Sequence, residues 1–155
     1  MVKKVLFFIV AVLLFAACSN RTVFSDYTEL DGGVWATDKS FAFNVEIEDT
    51  AASYEIDLML RNTDVFPRQN LWLKVEQEHN GHPISVDTLN IFLLDHNGKW
   101  IGKGLFSKYD NEFIWKQQVR FPEKGSYIFR FSQLMRIQVL EGIENIGIEV
   151  IKEKQ

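Results

Sequence analysis

Apolar and polar positions fall into two regimes along this chain. From Val5 to Ala17 every residue is uncharged and apolar. Beyond residue 40 the apolar residues instead recur at every second position. Phe41, Phe43, Val45 and Ile47 alternate with Ala42, Asn44 and Glu46. Tyr54, Ile56, Leu58 and Leu60 alternate with Glu55, Asp57, Met59 and Arg61. Leu71, Leu73 and Val75 alternate with Trp72, Lys74 and Glu76. Successive side chains of a strand point to opposite faces, so a period of two predicts strands with one core face and one wet face. Val86 to Leu94 is more continuously apolar and predicts a central strand. Further strands are predicted over Glu112–Val119, over Ser126–Phe131 and at Ile146, Ile148 and Val150, with a first one near Val23 to Tyr27.

The punctuation agrees with strands. His79-Asn80-Gly81-His82-Pro83, Asp95-His96-Asn97-Gly98 and Phe121-Pro122-Glu123-Lys124-Gly125 fall between them. Asn-Gly is a strong tight-turn signal because both residues tolerate positive φ. One helical turn is expected at Ser132 to Ile137, with Ser132 as N-cap and Leu134 and Met135 facing inward. Seven or eight short strands at this spacing predict a single-domain, all-β antiparallel β-sandwich. The expected layout is a leader over 1–17, a tether with the first strand over 18–39, and the sandwich over 40–155.

The leader changes the picture most. Lys3 and Lys4 precede the apolar run, and Ala16-Ala17-Cys18 closes it. A basic start, a short apolar stretch and small residues are the layout of a cleaved secretory signal. The stretch falls short of the roughly 20 residues a membrane span needs. A cysteine at that place reads as a bacterial lipoprotein signal, with Cys18 becoming the lipid-bearing first mature residue. Phe15 departs from the Leu, Val or Ile usual three residues before the cysteine. Each buried methylene of an acyl chain contributes about 0.8 kcal/mol, so two or three chains hold a protein firmly. No Asp follows Cys18 directly, and Ser19-Asn20-Arg21-Thr22 contains no acidic export cluster. The outer membrane, on its periplasmic face, is therefore the expected location.

Charge and cysteine count narrow the function classes. The formal net charge is −4, and losing Lys3 and Lys4 with the leader makes the mature chain more acidic still. That excludes the basic footprint of a nucleic-acid binder. Cys18 is the single cysteine. Once it carries lipid, disulfides, thiol catalysis and thiolate metal sites all go with it. Of thirteen Phe, the ten beyond the leader join four Trp to supply the apolar bulk that must then stabilise the fold.

Candidate chemistry is sparse. His79 and His82 have a ligand-like spacing, but a structural metal site usually needs four ligands, and the nearest downstream carboxylate is Asp87. They read better as exposed histidines of a turn. Asp95 to Gly98 lacks the later ligands of a calcium loop and reads as a hairpin. No Gly-x-Ser-x-Gly elbow is present. Carboxylate pairs for glycoside hydrolysis depend on a separation in space that spacing along the chain does not give. The expectation is no catalytic residue, no metal and no cofactor. Trp35, Trp72, Trp100 and Trp115 would be core or rim packing, or else a stacking platform for sugar. Trp72 alternates away from Leu71 and Leu73, which makes it a weak candidate for partner binding.

Several segments together resemble the gliding-motility lipoprotein family GldH of Bacteroidota. They are Arg61-Asn62-Thr63-Asp64 with Phe66-Pro67, Asn70-Leu71-Trp72-Leu73, Asp87-Thr88-Leu89 and Gly98-Lys99-Trp100-Ile101-Gly102-Lys103-Gly104. Val119-Arg120-Phe121-Pro122, Gly125-Ser126-Tyr127, Met135-Arg136, Leu140-Glu141-Gly142-Ile143 and Gly147-Ile148 follow in order. The chain departs from the family pattern at Phe66-Pro67-Arg68 and at Ile137-Gln138-Val139. The resemblance implies a lipid-anchored, non-enzymatic envelope protein, an accessory of the gliding and type IX secretion apparatus that works through protein contacts. It carries over no catalytic residue. The expected partners are the membrane, through the N-terminal lipid, and envelope proteins, with no nucleic acid and no small-molecule ligand. The alternative is a carbohydrate-binding lipoprotein of a glycan-uptake system, which requires exposed, coplanar tryptophans.

Overall fold

The computed structural model describes residues 21–154; the leader and Cys18 lie outside the described residues. Eleven strands run in chain order. They are β1 (Thr22–Glu29), β2 (Val34–Ala36), β3 (Ser40–Ile47), β4 (Tyr54–Thr63), β5 (Asn70–His79), β6 (His82–Phe92), β7 (Lys103–Leu105), β8 (Lys108–Val119), β9 (Gly125–Gln133), β10 (Val139–Glu141) and β11 (Ile143–Lys152). One sheet has the order β1-β11-β4-β8-β7 and the other β3-β9-β5-β6, while β10 and β2 form a small separate ladder. All pairings are antiparallel. The result is the antiparallel β-sandwich that the alternation predicts.

The alternating positions fill the space between the sheets. Ile56, Leu58 and Leu60 of β4 sit beside Val150, Ile148 and Ile146 of β11 on one inner face. Phe43, Val45 and Ile47 of β3, Leu71, Leu73 and Val75 of β5, and Tyr127, Phe129 and Phe131 of β9 supply the other, and all are buried. Each such side chain contributes about 1.5–3 kcal/mol on burial. Aromatic edges tie the layers together. Trp115 of β8 meets Phe129 at 5.9 Å, and Phe121 lies 5.3 Å from Tyr54 and 4.5 Å from Tyr127. Trp35 of β2 is fully buried, and its Nε1 donates to the Lys39 carbonyl at 3.0 Å.

Two expectations are corrected. The helical turn at Ser132 to Ile137 does not form. β9 continues to Gln133, whose Nε2 donates to the Ile137 carbonyl at 3.1 Å and whose Oε1 accepts from Met135 N–H at 2.8 Å. One buried amide thus takes up the polar backbone groups that a helix would have paired internally. Leu134 points outward, while Met135 packs against the core. The second correction concerns Val86 to Leu94. That run lies in β6 and the residues after it, and β6 is an edge strand, paired only with β5. Leu89 and Ile91 face the core, whereas Val86 and Phe92 face solvent.

Gly142 shows why the β10–β11 corner needs glycine. Its φ is +85°, and a Cβ there would stand 2.4 Å from the Phe66 backbone nitrogen. Its carbonyl accepts from Thr63 N–H and its N–H donates to the Gly33 carbonyl, both at 2.9 Å. The corner therefore locks the β4–β5 loop against β11.

Candidate functional site

The sandwich has two distinct poles. β1 enters beside the end of β11, with Thr22 opposite Ile151 and Ile151 opposite Glu55. At the far end of β4, Thr63 faces Lys108 at the base of the β7–β8 hairpin. The ten residues of β4 separate these poles by roughly 30 Å at the usual strand rise.

The far pole carries the most exposed apolar residues. Leu105 and Phe106 form the hairpin tip, and Phe106 is 94% exposed. Phe106 and Ser107 have φ of 53° and 66°. Two left-handed residues are what a two-residue hairpin of matching twist demands. A bulky aromatic in that conformation is strained. Asp64 N–H donates to the Ser107 carbonyl at 3.2 Å and holds the tip in place. Hydrophobic burial explains neither residue here.

A second apolar surface lies on the outer face of the β3-β9-β5-β6 sheet. Trp72 is 41% exposed, and Leu134 folds beside it through a 2.8 Å bond from Leu134 N–H to the Trp72 carbonyl. Ile84, Val86 and Phe92 are exposed along β6. Trp72 therefore faces solvent, within an apolar region at a sheet edge.

The other tryptophans lie elsewhere. Trp35 is core, Trp115 packs on Phe129 and Phe131, and Trp100 stacks on Tyr109 with centroids 5.3 Å apart. The four do not share a face, so the coplanar platform that the glycan reading requires is not built.

The histidines differ in environment. His79 is lodged rather than exposed, contrary to expectation. Its ring stacks on Tyr127 at 4.1 Å, its Nδ1 is 3.1 Å from the Ser126 carbonyl, and its side chain is 12% exposed. His82 is its exposed cross-strand partner. The turn between them, Asn80 with φ 51° and Gly81 with φ 78°, is the predicted Asn-Gly hairpin. Asp87 is engaged elsewhere. Its Oδ2 lies 2.6 Å from Lys116 Nζ, a charge contact off line for a hydrogen bond. Asp95 closes its own turn, with Oδ1 accepting from Asn97 and Lys99 N–H at 2.8 and 2.9 Å. Those bonds to the ionised form lower its pKa.

The outer face of the β1-β11-β4-β8-β7 sheet holds a groove of about 520 Å³ lined by Tyr27, Met59, Arg61, Ile101, Asp110 and Glu112, among others. Arg61 and Asp110 join across its floor, with Nε–Oδ1 at 2.6 Å and Nη2–Oδ2 at 3.1 Å. On the same sheet face stand Asp57, Glu112 and Glu149, each with an oxygen within 4.8 Å of the others. Burial, and then the charges of Glu55, Glu112 and Glu149, raise the Asp57 pKa to about 6. Alternation alone marks Asp57 as a wet-face residue. Its neighbours come from β8 and β11, and only the strand register brings them together.

No helix among the described residues is long and apolar enough to cross a membrane. The fold is an antiparallel β-sandwich whose surface carries two apolar patches and one group of acids. The chain belongs to the GldH lipoprotein family, whose pattern matches residues 22–150. It is therefore a member of a lipoprotein family and associated with membranes. It is 28% identical over 156 residues to the gliding motility lipoprotein GldH homolog of Christiangramia forsetii, covering 96% of this chain and 95% of that one. It is 29% identical over 147 residues to the gliding motility lipoprotein GldH of Flavobacterium johnsoniae, covering 90% of each. Among solved structures, part of a family GH115 4-O-methyl-α-glucuronidase is similar at a TM-score of 0.46 and 12% identity. That match covers 86% of this chain and 17% of the enzyme, and a likeness of this degree carries no argument about function.

Proposed function

We propose that this protein is a lipid-anchored, non-enzymatic accessory of the gliding and type IX secretion apparatus that acts through protein contacts. Membership of the GldH lipoprotein family across residues 22–150 carries the reading. Cys18 is the lipidated first residue, after a leader over 1–17, and the anchor lies in the periplasmic face of the outer membrane. Four residue steps lead from Cys18 to Thr22, a reach of at most about 14 Å. The Thr22 pole would therefore sit close to the lipid surface. The Leu105–Phe106 tip would be held away from that surface, where envelope proteins can meet it. Exposed aromatics of this kind suit a protein interface, and Trp72 with its neighbours offers a second contact surface.

Two measurements test the reading. Labelling with a palmitate analogue should mark the wild type and not Cys18→Ala; equal labelling of both contradicts the anchor. Cross-linking in membranes followed by pull-down should recover envelope proteins reproducibly, while a glycan array stays blank. Specific glycan binding with no protein partner would favour the carbohydrate-binding alternative.

A further inference from the structure

We propose that Asp57, Glu112 and Glu149 form a divalent-cation site on the outer face of the β1-β11-β4-β8-β7 sheet, suited to calcium. Such a site does not depend on the accessory role.

The three residues come from neighbouring strands, β4 in the middle, β8 on one side and β11 on the other. Asp57 is the Cα partner of Glu149, and Glu112 is the partner of Met59, two residues along the same face from Asp57. Carboxylate oxygens of all three lie within 4.8 Å of one another. Calcium binds oxygens at about 2.3–2.6 Å, so a single ion between them reaches all three after at most a small shift of the exposed Glu112 side chain. The set contains oxygen donors and no imidazole or thiolate, which suits a hard cation rather than zinc.

The second observation is the state of Asp57 itself. It is 2% exposed, and its Oδ1 has no hydrogen-bond partner. Its carboxylate nonetheless aims into the cluster. A buried carboxylate without a donor is costly, and buried charges are normally paired or bound to metal. The basic side chain on the same face of β4, Arg61, is held by Asp110 instead. Glu149 is steadied by the Thr22 hydroxyl, which donates to it at 3.0 Å. Glu112 is exposed, which leaves a wet side where waters complete the six to eight ligands that calcium takes.

The test uses the full-length protein in non-ionic detergent, stripped with EGTA and titrated with calcium chloride at neutral pH by isothermal calorimetry. The expected result is one calcium per chain for the wild type and a rise in Tm on calcium addition. Asp57→Asn should weaken binding by at least about tenfold, since even outer-sphere changes cost that much, while its circular dichroism stays native. Should Asp57→Asn not fold, Glu112→Gln at the exposed position gives the same readout. The proposal is overturned if the wild type shows no stoichiometric binding. It is equally overturned if a folded variant binds calcium as the wild type does, or if every Tm rise persists in the variants as a general salt effect.

Discussion

Asp57 of β4 and Glu149 of β11 are directly opposed across the ladder, two carboxylates on one face of the sheet. Glu112 of β8 completes the group from the other side, and Glu55 adds charge from β4 itself. The Asp57 pKa rises to about 6 from an ordinary 3.8, first by burial and then by these three acids. The folded state therefore binds more protons than the unfolded chain between those values. The contribution of Asp57 is fully present below the unfolded value and is lost as pH rises through about 6. In the presence of chelator, Asp57→Asn should be more stable than the wild type at neutral pH by about 1–3 kcal/mol. The difference should vanish in acid. Urea unfolding of both proteins across pH measures it. A gap that does not change with pH contradicts the assignment.

Phe106 separates contact from stability. Its positive φ and near-complete exposure mean that the fold gains nothing from the ring. Phe106→Asn, better suited to left-handed backbone, should leave stability equal or higher by up to about 1 kcal/mol. It should nonetheless reduce the yield of cross-linked partner. A variant that cross-links as well as the wild type removes the hairpin tip from the interface.

Gly142 is predicted to be intolerant. Gly142→Ala places a methyl against the Phe66 backbone at a positive φ. It should cost about 1–3 kcal/mol or more, combining strain with overpacking. The midpoint of chemical denaturation reports it, and an unchanged midpoint would mean the corner is looser than the geometry implies.

Phe129 sits fully buried at the centre of β9, with Trp115 edge-on to its ring. Phe129→Ala should cost about 3–5 kcal/mol through lost burial and a residual cavity. A loss below about 1 kcal/mol would show that this aromatic layer collapses freely.

Much of the fold is legible in the chain because period-two alternation is a local signal. Phe43, Val45 and Ile47 declare their face without any knowledge of the opposite sheet. The three-residue strands β2, β7 and β10 are too short to show a period. β6 misleads because Val86 and Phe92 on its outer face are apolar as well, so its pattern reads as central when its position is an edge. Gln133 misleads differently: its side chain satisfies a loop that looks helical from its termini. The acid group is illegible for a deeper reason. Asp57, Glu112 and Glu149 are far apart in sequence and meet only through register. Cys18 is the reverse case, a residue whose proposed role rests on its leader alone and whose position lies outside the described residues.

As proposed, the protein is a lipid-anchored accessory of gliding and secretion. Colony spreading and cargo secretion test it in a gliding host whose own family gene is deleted and replaced by this one, as wild type or as Cys18→Ala. The account predicts that the wild type restores both activities and that Cys18→Ala, at equal protein level, restores neither. Failure of the wild type to restore either activity, or full restoration by Cys18→Ala, would contradict it.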